Sequence, residues 1–413
     1  MPIASRKPES RQLVRRISVA IVLAALGIAS VGQTAAVIIQ KSSPEQALML
    51  GPGNGVTTAL AAERVFLLSP SKEPDSRAAQ LAKQALRSDP TAIKGVTVLA
   101  LQAQLRGETE GARELFKYAL LLSRRELQPH VWAIEEGVER GDIAGVLRTY
   151  DLALRTSRGS RETLFAPLAN GLREPMVRRR IVEMVADRPE WKDDFLRHVA
   201  TLGDDPASGA RFFQDMRAAG LSPPEEFDAG LVSQFIARGQ YEEAWRYYSS
   251  FREVASRDAA RDPDFLLDNI TRTEFDWHFT SNPGFSAVIL RDGDEGQFDF
   301  STPPSSGGPL LRQLQLLPPG SYRLSGVTRD IEQPDSSLPY WVLECRDGRE
   351  LGRVAVPNSA SMSGRFGGTL VVPANCPVQI LSFMARPTSA RGGLVGQIRR
   401  AILEPASAAA RER

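Results

Sequence analysis

Residues 112–119 read ARELFKYA, and a similar pattern stands 34 residues earlier as AAQLAKQA and 34 residues later as VLRTYDLA. Apolar positions in each copy are separated by three and four residues, which places them on one face of an α-helix. A recurrence at a fixed period of this length indicates that one supersecondary unit is repeated along the chain. The sequence therefore predicts a series of similar helical units.

Four columns of equivalent residues carry this period. Small side chains in two columns allow paired helices to approach closely, and the larger side chains of a third column fill the gap to the next unit. The glycine column is predicted in the turn between paired helices, where a positive φ is often needed. The columns are Ala78, Ala112 and Val146; Ala85, Ala119 and Ala153; Ala82, Phe116 and Tyr150; and Gly107 with Gly141.

The small–aromatic–small signature resembles the tetratricopeptide repeat (TPR), most clearly over residues 59–156. The resemblance implies antiparallel helix pairs stacked into a solenoid with a concave binding face. Pro90 matches the family's proline between units, and Asp89 is predicted to cap the N-terminus of the following helix. Arg124 stands at the next proline position, so the match is incomplete. We predict a TPR-like domain over residues 59–270.

The later part of this domain is predicted to be irregular. Residues 234–251 repeat the pattern with Gly239, Ala244 and Tyr248, but Ala244 follows Val146 by 98 residues, which is not a multiple of 34. Proline positions divide the intervening segment into four candidate helices. These are residues 161–171, 175–186, 190–201 and 206–219. The functional interpretation of such a solenoid is a platform for a partner protein, and the alternative is a spacer.

The N-terminus predicts export. Residues 17–39 read ISVAIVLAALGIASVGQTAAVII, which has no charge and is long enough to cross a bilayer as a helix. The leader at residues 1–16 is basic, so the positive-inside rule places it in the cytoplasm and the rest outside, anchored in a bacterial inner membrane. The alternative is a cleaved signal peptide. Residues 40–58 are predicted to be a flexible linker. The basic residues are Arg6, Lys7, Arg11, Arg15 and Arg16.

After about residue 270 the apolar residues alternate with a period of two, which is typical of β-strands. Residues 271–405 are predicted to form an antiparallel β-sandwich, and residues 406–413 a disordered tail. The fold class is therefore multidomain α + β. The ten candidate strands are residues 275–279, 285–291, 297–300, 311–316, 321–328, 340–346, 350–356, 368–373, 378–385 and 394–403.

Residues 316–326, LLPPGSYRLSG, resemble jelly-roll modules of the galactose-binding-like and carbohydrate-binding kind. That resemblance implies sugar binding through exposed aromatic side chains. Trp277 and Trp341 alternate with apolar neighbours, which favours core packing over a sugar platform. Acidic residues crowd the turn near Gly293 and could supply oxygen ligands for Ca²⁺, although a solvated hairpin turn is the favoured interpretation. They are Asp292, Asp294, Glu295 and Asp299.

The two cysteines, Cys345 and Cys376, are predicted to form a disulfide in an oxidising periplasm. The three histidines are far apart, so the sequence predicts no metal site. It contains no recognised catalytic or phosphate-binding motif, and we expect no enzyme activity, no catalytic residues and no cofactor. A net charge of +2 gives no electrostatic case for nucleic acid.

The sequence thus predicts a membrane-anchored periplasmic scaffold whose repeats bind an unidentified periplasmic or inner-membrane protein. The architecture resembles TPR proteins that accompany envelope or exopolysaccharide assembly and export in bacteria. Two alternatives remain open. The sandwich could itself capture a polysaccharide, an alternative that two or three exposed aromatic side chains on one sheet face or at the loop rim would favour and that burial of all of them would count against. A glycan-processing enzyme would require a cleft with two carboxylates about 5–10 Å apart.

Overall fold

The computed structural model describes residues 9–51, 53–252, 256–267, 271–280, 283–362 and 364–406. The chain divides into two compact units. The first contains residues up to Phe165 together with Asp187–Trp191, and the second contains Ala166–Ala186 and the residues from Lys192 onward. The division differs from the sequence prediction, which placed the domain boundary between residues 270 and 271.

Helix α1 spans Glu9–Ile39, and its segment Ser18–Ile39, with mean hydropathy 2.0, is long and apolar enough to cross a membrane. The first eight residues of the predicted leader lie outside the described residues. Helix α2 spans Pro44–Leu50, where a flexible linker was predicted. Proline at its first turn and the burial of Ala47 against α1 account for this difference.

Three antiparallel helix pairs follow. All nine non-glycine column residues are buried, and Gly107 and Gly141 have φ of +78° and +70° in the turns between paired helices. Asp89 is not the N-cap of the next helix: it ends the preceding one, and Ala92 occupies the N-cap position. The pairs are α3 (Gly55–Leu68) with α4 (Arg77–Ser88), α5 (Ile93–Leu105) with α6 (Thr109–Leu122), and α7 (Leu127–Glu139) with α8 (Ile143–Thr156).

The four helices predicted in the irregular region are present, with ends within two residues of the prediction. One more pair follows them, and its turn contains Gly239 with φ of +74°. The later helices are α9 (Arg161–Asn170), α10 (Pro175–Ala186), α11 (Lys192–Thr201), α12 (Pro206–Ala218), α13 (Glu225–Ala237) and α14 (Tyr241–Tyr248).

The C-terminal region is an antiparallel β-sandwich, and all ten predicted strands are present. The first sheet has the order β1-β4-β9-β6-β7 and the second β2-β3-β10-β5-β8. The two-residue alternation that predicted the strands points one side of each sheet into a shared apolar core. The predicted fold class is therefore confirmed. The strands are β1 (His278–Phe279), β2 (Ser286–Asp292), β3 (Glu295–Thr302), β4 (Gly308–Gln315), β5 (Gly320–Arg329), β6 (Tyr340–Cys345), β7 (Glu350–Ala355), β8 (Gly364–Val372), β9 (Gln379–Ala385) and β10 (Leu394–Pro405).

A disulfide joins the end of β6 to the loop before β9. It connects Cys345 and Cys376, whose Cα atoms are 5.8 Å apart. Both residues are buried, and the bond closes a segment that contains β7 and β8.

Candidate functional site

The first helix of each repeat pair ends in exposed apolar residues. Helix α3 ends with Leu67 and Leu68, α5 ends with Leu105, and α7 presents Val138 one residue before its end. Their exposed fractions are 68%, 71%, 51% and 57%. We call these four residues the apolar rim. Exposed apolar side chains mark an interaction surface when they form a contiguous patch, and these four recur at the same end of the first helix in three neighbouring pairs.

An ion-pair network links the same three helices. The Nζ of Lys94 on α5 lies 2.8 Å from Glu63 on α3 and 2.6 Å from Glu126, which directly precedes α7. Burial disfavours the ammonium group, but hydrogen bonds with Glu126 and Glu63 outweigh it, and the pKa of Lys94 is raised above its ordinary value. The network connects the three neighbouring pairs through the start of α5.

The large aromatic side chains of the sandwich point inward. The ring centroids of Trp277 and Trp341 are 5.7 Å apart in the core, and neither indole is accessible. The predicted core packing of these two residues is what the structure has. Three aromatic side chains of the described sandwich remain partly exposed to solvent. Two of these, Phe279 and Phe285, pack against the core.

The third, Tyr340 on β6, is engaged by two arginines. The guanidinium carbons of Arg353 and Arg386 lie 4.1 Å and 4.7 Å from its ring centroid. Cation–π contacts of this kind occupy the ring. Arg353 is held in turn by Glu350 on the same strand, at 2.7 Å. Tyr340 therefore does not provide a free stacking surface for a sugar.

A polar groove of about 640 Å³ lies where three loops of the sandwich meet. Asp330 and Glu332 line it from the loop after β5, and Asn358 and Gly393 from the other two loops. The loops are tied together by Gln333, whose backbone N–H donates to Asn358 Oδ1 (2.7 Å) and whose Nε2 donates to the Gly393 carbonyl (2.8 Å). The groove is thus preformed and rich in hydrogen-bond acceptors.

Asp299 on β3 is affected by the acidic groove. Partial burial raises the pKa of its carboxyl group, and the negative charge of Asp330 raises it further. One carboxylate oxygen of Asp299 is buried without a hydrogen-bond partner. A carboxyl group with a raised pKa beside a second acid is a pattern that enzymes use for acid catalysis, so this pair is the arrangement to test for chemistry.

The remaining acids of the predicted Ca²⁺ turn lie at the β2–β3 hairpin. Glu295 pairs with Arg399 at 2.6 Å, and Asp294 is exposed. The side chain of Asp292 lies outside the described residues. Within the described ranges, the histidine, cysteine and acidic side chains form no group suited to holding a metal ion.

Sequence reasoning missed a buried polar cluster between α14 and the sandwich. Arg261 is fully buried, and its Nε donates to the Phe275 carbonyl (2.5 Å) while a terminal nitrogen donates to Gln315 (3.1 Å). Burial lowers the pKa of Arg261 to about 10. Beside it, the hydroxyl of Tyr248 on α14 donates to Asp276 at 2.8 Å. We call these five residues the arginine junction.

The arginine junction had no periodic signal by which it could be found. Tyr248 is the last residue of α14, but the other members lie in irregular segments or at an isolated position of a strand, and their partners are distant in sequence. The Lys94 network was missed for a related reason, since residues 34 positions from Lys94 and Glu63 do not preserve the charges.

No protein-family model matches this sequence, and a search of curated proteins finds no match. Solved structures are similar over parts of the chain. PilF of Pseudomonas aeruginosa is 16% identical, with a TM-score of 0.24, over 49% of this chain and 78% of that one. The carbohydrate-binding module TmCBM61, solved with β-1,4-galactotriose, is 16% identical, with a TM-score of 0.26, over 36% of this chain and 99% of that one.

A third similar structure is the enzymatically active domain of tailspike protein 4 from bacteriophage CBA120. It is 10% identical, with a TM-score of 0.25, over 36% of this chain. The chain spans only 21% of that protein. All three similarities are too distant to indicate what this chain binds or does.

Proposed function

We propose that this protein is a non-enzymatic, membrane-anchored scaffold of the bacterial envelope, and that its helical repeats bind a partner protein. The apolar segment of α1 is the anchor, with the basic N-terminus in the cytoplasm and the residues that follow α1 in the periplasm. A role in envelope or exopolysaccharide assembly belongs to the same proposal.

The observation that carries the proposal is the apolar rim. Four large apolar side chains remain exposed at or near the ends of the first helices of three successive pairs, and an ion-pair network links these helices. A partner that removes these side chains from water would gain about 25 cal/mol for each Å² of apolar surface that it buries. The burial of the sandwich tryptophans favours this function over sugar stacking.

Site-specific photo-crosslinking in cells tests the proposal. A photoreactive amino acid at Leu105 should form a discrete adduct with an envelope protein, and the adduct should disappear in the variant Leu67→Ser/Val138→Ser. The matched control is Leu202, which is also an exposed leucine (71%) beside the end of a helix but lies outside the rim. Equal crosslinking at Leu105 and Leu202, or an adduct that survives the double substitution, would rule out the rim as the binding surface.

The groove supports a second candidate function, which is capture of a polysaccharide by the sandwich. Carboxylate and amide groups on three tied loops can accept hydrogen bonds from sugar hydroxyl groups. We expect Asp330→Ala/Glu332→Ala to abolish any signal on a glycan array. Asp294→Ala/Glu295→Ala, which removes two acids from a different turn, should leave the signal unchanged. An array without signal for the native chain would remove this candidate.

The same array tests the absence of enzyme activity. Mass spectrometry of the glycans after incubation should show unchanged oligosaccharide masses. Cleavage that is lost in Asp299→Asn would overturn the non-enzymatic assignment and identify the Asp299–Asp330 pair as the chemical centre.

A further inference from the structure

Helix α2 turns back along the end of α1. The backbone N–H of Ser43 donates to the Ile39 carbonyl at 2.8 Å, which closes the turn between the helices. At the other end of α2, the Leu50 carbonyl oxygen lies only 2.7 Å from the point where a Cβ on Gly32 would stand. Ala36, between these two contacts, has no accessible surface. The two helices therefore form an antiparallel hairpin.

This hairpin carries the end of α2 back toward the membrane. The rise along α1 from Gly32 to Ile39 is about 10 Å. Leu50 is level with Gly32, so it lies closer to the cytoplasmic end of α1 than Ile39 does, by about that distance.

The length of the apolar segment then sets the depth of α2. Ser18–Ile39 contains 22 residues and is about 33 Å long as a helix, close to the hydrocarbon thickness of about 30 Å. If the span ends at Ile39, the whole of α2 lies beside the outer part of the bilayer. If the span ends at Gln33 and Thr34, where two polar side chains are adjacent, the end of α2 touches the hydrocarbon boundary. Both placements bring Leu50 to the membrane.

The polar side chains of α2 lie at its end farther from the membrane, and its exposed apolar side chains lie at the end nearer to the membrane. Glu45 and Gln46 stand at the end nearest Ile39, and Met49 and Leu50 stand at the deep end, with 84% and 47% of their surfaces exposed. This order keeps the polar side chains in water and gives the exposed apolar side chains an apolar environment. The helix ends at Leu50, and backbone groups without helical partners limit the insertion to the headgroup layer and the edge of the hydrocarbon.

We propose that α2 binds the outer surface of the bilayer, with Met49 and Leu50 inserted among the lipids. The inference rests on the proposed membrane anchoring by α1. Its consequence is that the first repeats sit directly on the membrane, because Gln40 at the end of α1 also accepts a hydrogen bond from Thr57 of α3 at 3.1 Å. The repeats are docked on the bilayer and do not swing on a free tether.

Lipid quenching of a fluorescent label tests this proposal in the full-length chain. The two native cysteines form a disulfide, so an introduced cysteine is the only free thiol. Single variants Met49→Cys, Leu26→Cys and Leu121→Cys are labelled with bimane and reconstituted into phosphatidylethanolamine–phosphatidylglycerol vesicles. Matched vesicles also contain dibrominated phosphatidylcholine as the quencher. Leu26 lies within the span, and Leu121 is an exposed control with the same 84% exposure as Met49.

We expect quenching at residue 49 to be comparable to that at residue 26 and several-fold greater than at residue 121. Quenching at residue 26 with none at residue 49 would overturn the interfacial position of α2 and leave the anchor intact. The absence of quenching at residue 26 would instead overturn the membrane anchoring on which both proposals rest. A label at residue 49 that is shielded from water but unquenched by lipid would show a protein contact and would also contradict this proposal.

Discussion

The repeat pairs α3–α8 and the sandwich with its docked helix α14 are stabilised in different ways. In the repeats, alanine columns and a few larger side chains such as Phe116, which stacks on Trp132 at 4.7 Å, pack between neighbours in sequence. Around the sandwich, a buried arginine bonds to groups more than 50 residues away. Local apolar packing that is repeated along the chain produces a period in the sequence, whereas a single polar cluster between distant residues produces none.

Substitution of Arg261 should have the largest effect on stability. We expect the loss of stability in the sandwich and not in the repeat pairs α3–α8. Arg261→Ala leaves the Phe275 carbonyl and Gln315 buried without their donor. We expect a loss of about 3–5 kcal/mol in the free energy of unfolding, as for breaking a buried charged network. Hydrogen exchange measured by mass spectrometry should show faster exchange in β4 and unchanged exchange in α3–α8.

The matched control for Arg261→Ala is Arg399→Ala, which breaks a surface pair with Glu295. That pair is expected to contribute less than about 1 kcal/mol. Equal effects of the two substitutions would show that the arginine junction contributes no more than an exposed ion pair.

Removal of the disulfide should have a slightly smaller effect in the same region. Cys345→Ala/Cys376→Ala opens a loop of sequence separation 31, and the chain-entropy model gives a loss of about 3–4 kcal/mol. We expect a lower urea midpoint for the sandwich, and the native chain should lose the same stability in reductant. A midpoint in the native chain that does not respond to reductant would contradict the role of the bond.

Substitutions of two glycines test the turn geometry of the repeats. Each should change the free energy of unfolding by about 1 kcal/mol. Gly107 has φ of +78°, so Gly107→Ala should destabilise the repeats by about 1–2 kcal/mol. Gly111 lies within α6 with room for a methyl group, so Gly111→Ala should stabilise them by about 0.4–1 kcal/mol. Thermal unfolding of the two variants should therefore move in opposite directions, and shifts of the same sign would contradict the assigned turn.

The smallest expected effect is the pH dependence of Asp299. Its pKa is raised in the folded state, so the folded protein binds the proton more tightly and loses stability as the pH rises above the ordinary aspartate pKa. Asp299→Asn should melt at a higher temperature than the native chain at pH 7, and the two should converge below that ordinary pKa. A native chain that is the more stable of the two at pH 7 would contradict the raised pKa.

The sequence was sufficient for the architecture because each part has its own period. Columns such as Ala85, Ala119 and Ala153 predicted the helix pairs, and two-residue alternation predicted all ten strands. The positive φ of Gly107 and Gly141 also agrees with the predicted turns.

The candidate surfaces could not be predicted to the same extent. Exposure of Leu105 and Val138 depends on where each helix ends and on which neighbours cover it, and helix ends are poorly determined by periodicity. The groove depends on three loops that meet only after the strands are paired. The linker prediction was wrong because Pro44 begins the short helix α2 and Gly51 follows its last residue, so neither interrupts the helix.

The arginine junction also determines which segment of this chain can be transferred to another protein by recombination and still fold. A fragment that begins at residue 271 lacks Arg261 and Phe265, although both are buried with the sandwich. Recombination at that point should give an unstable protein. A deletion variant that begins there should lose binding because it does not fold, even if the binding surface itself is retained. A fragment that begins at Ala166 retains the helices of the second compact unit. Gene rearrangements should therefore move the sandwich together with its helical cap.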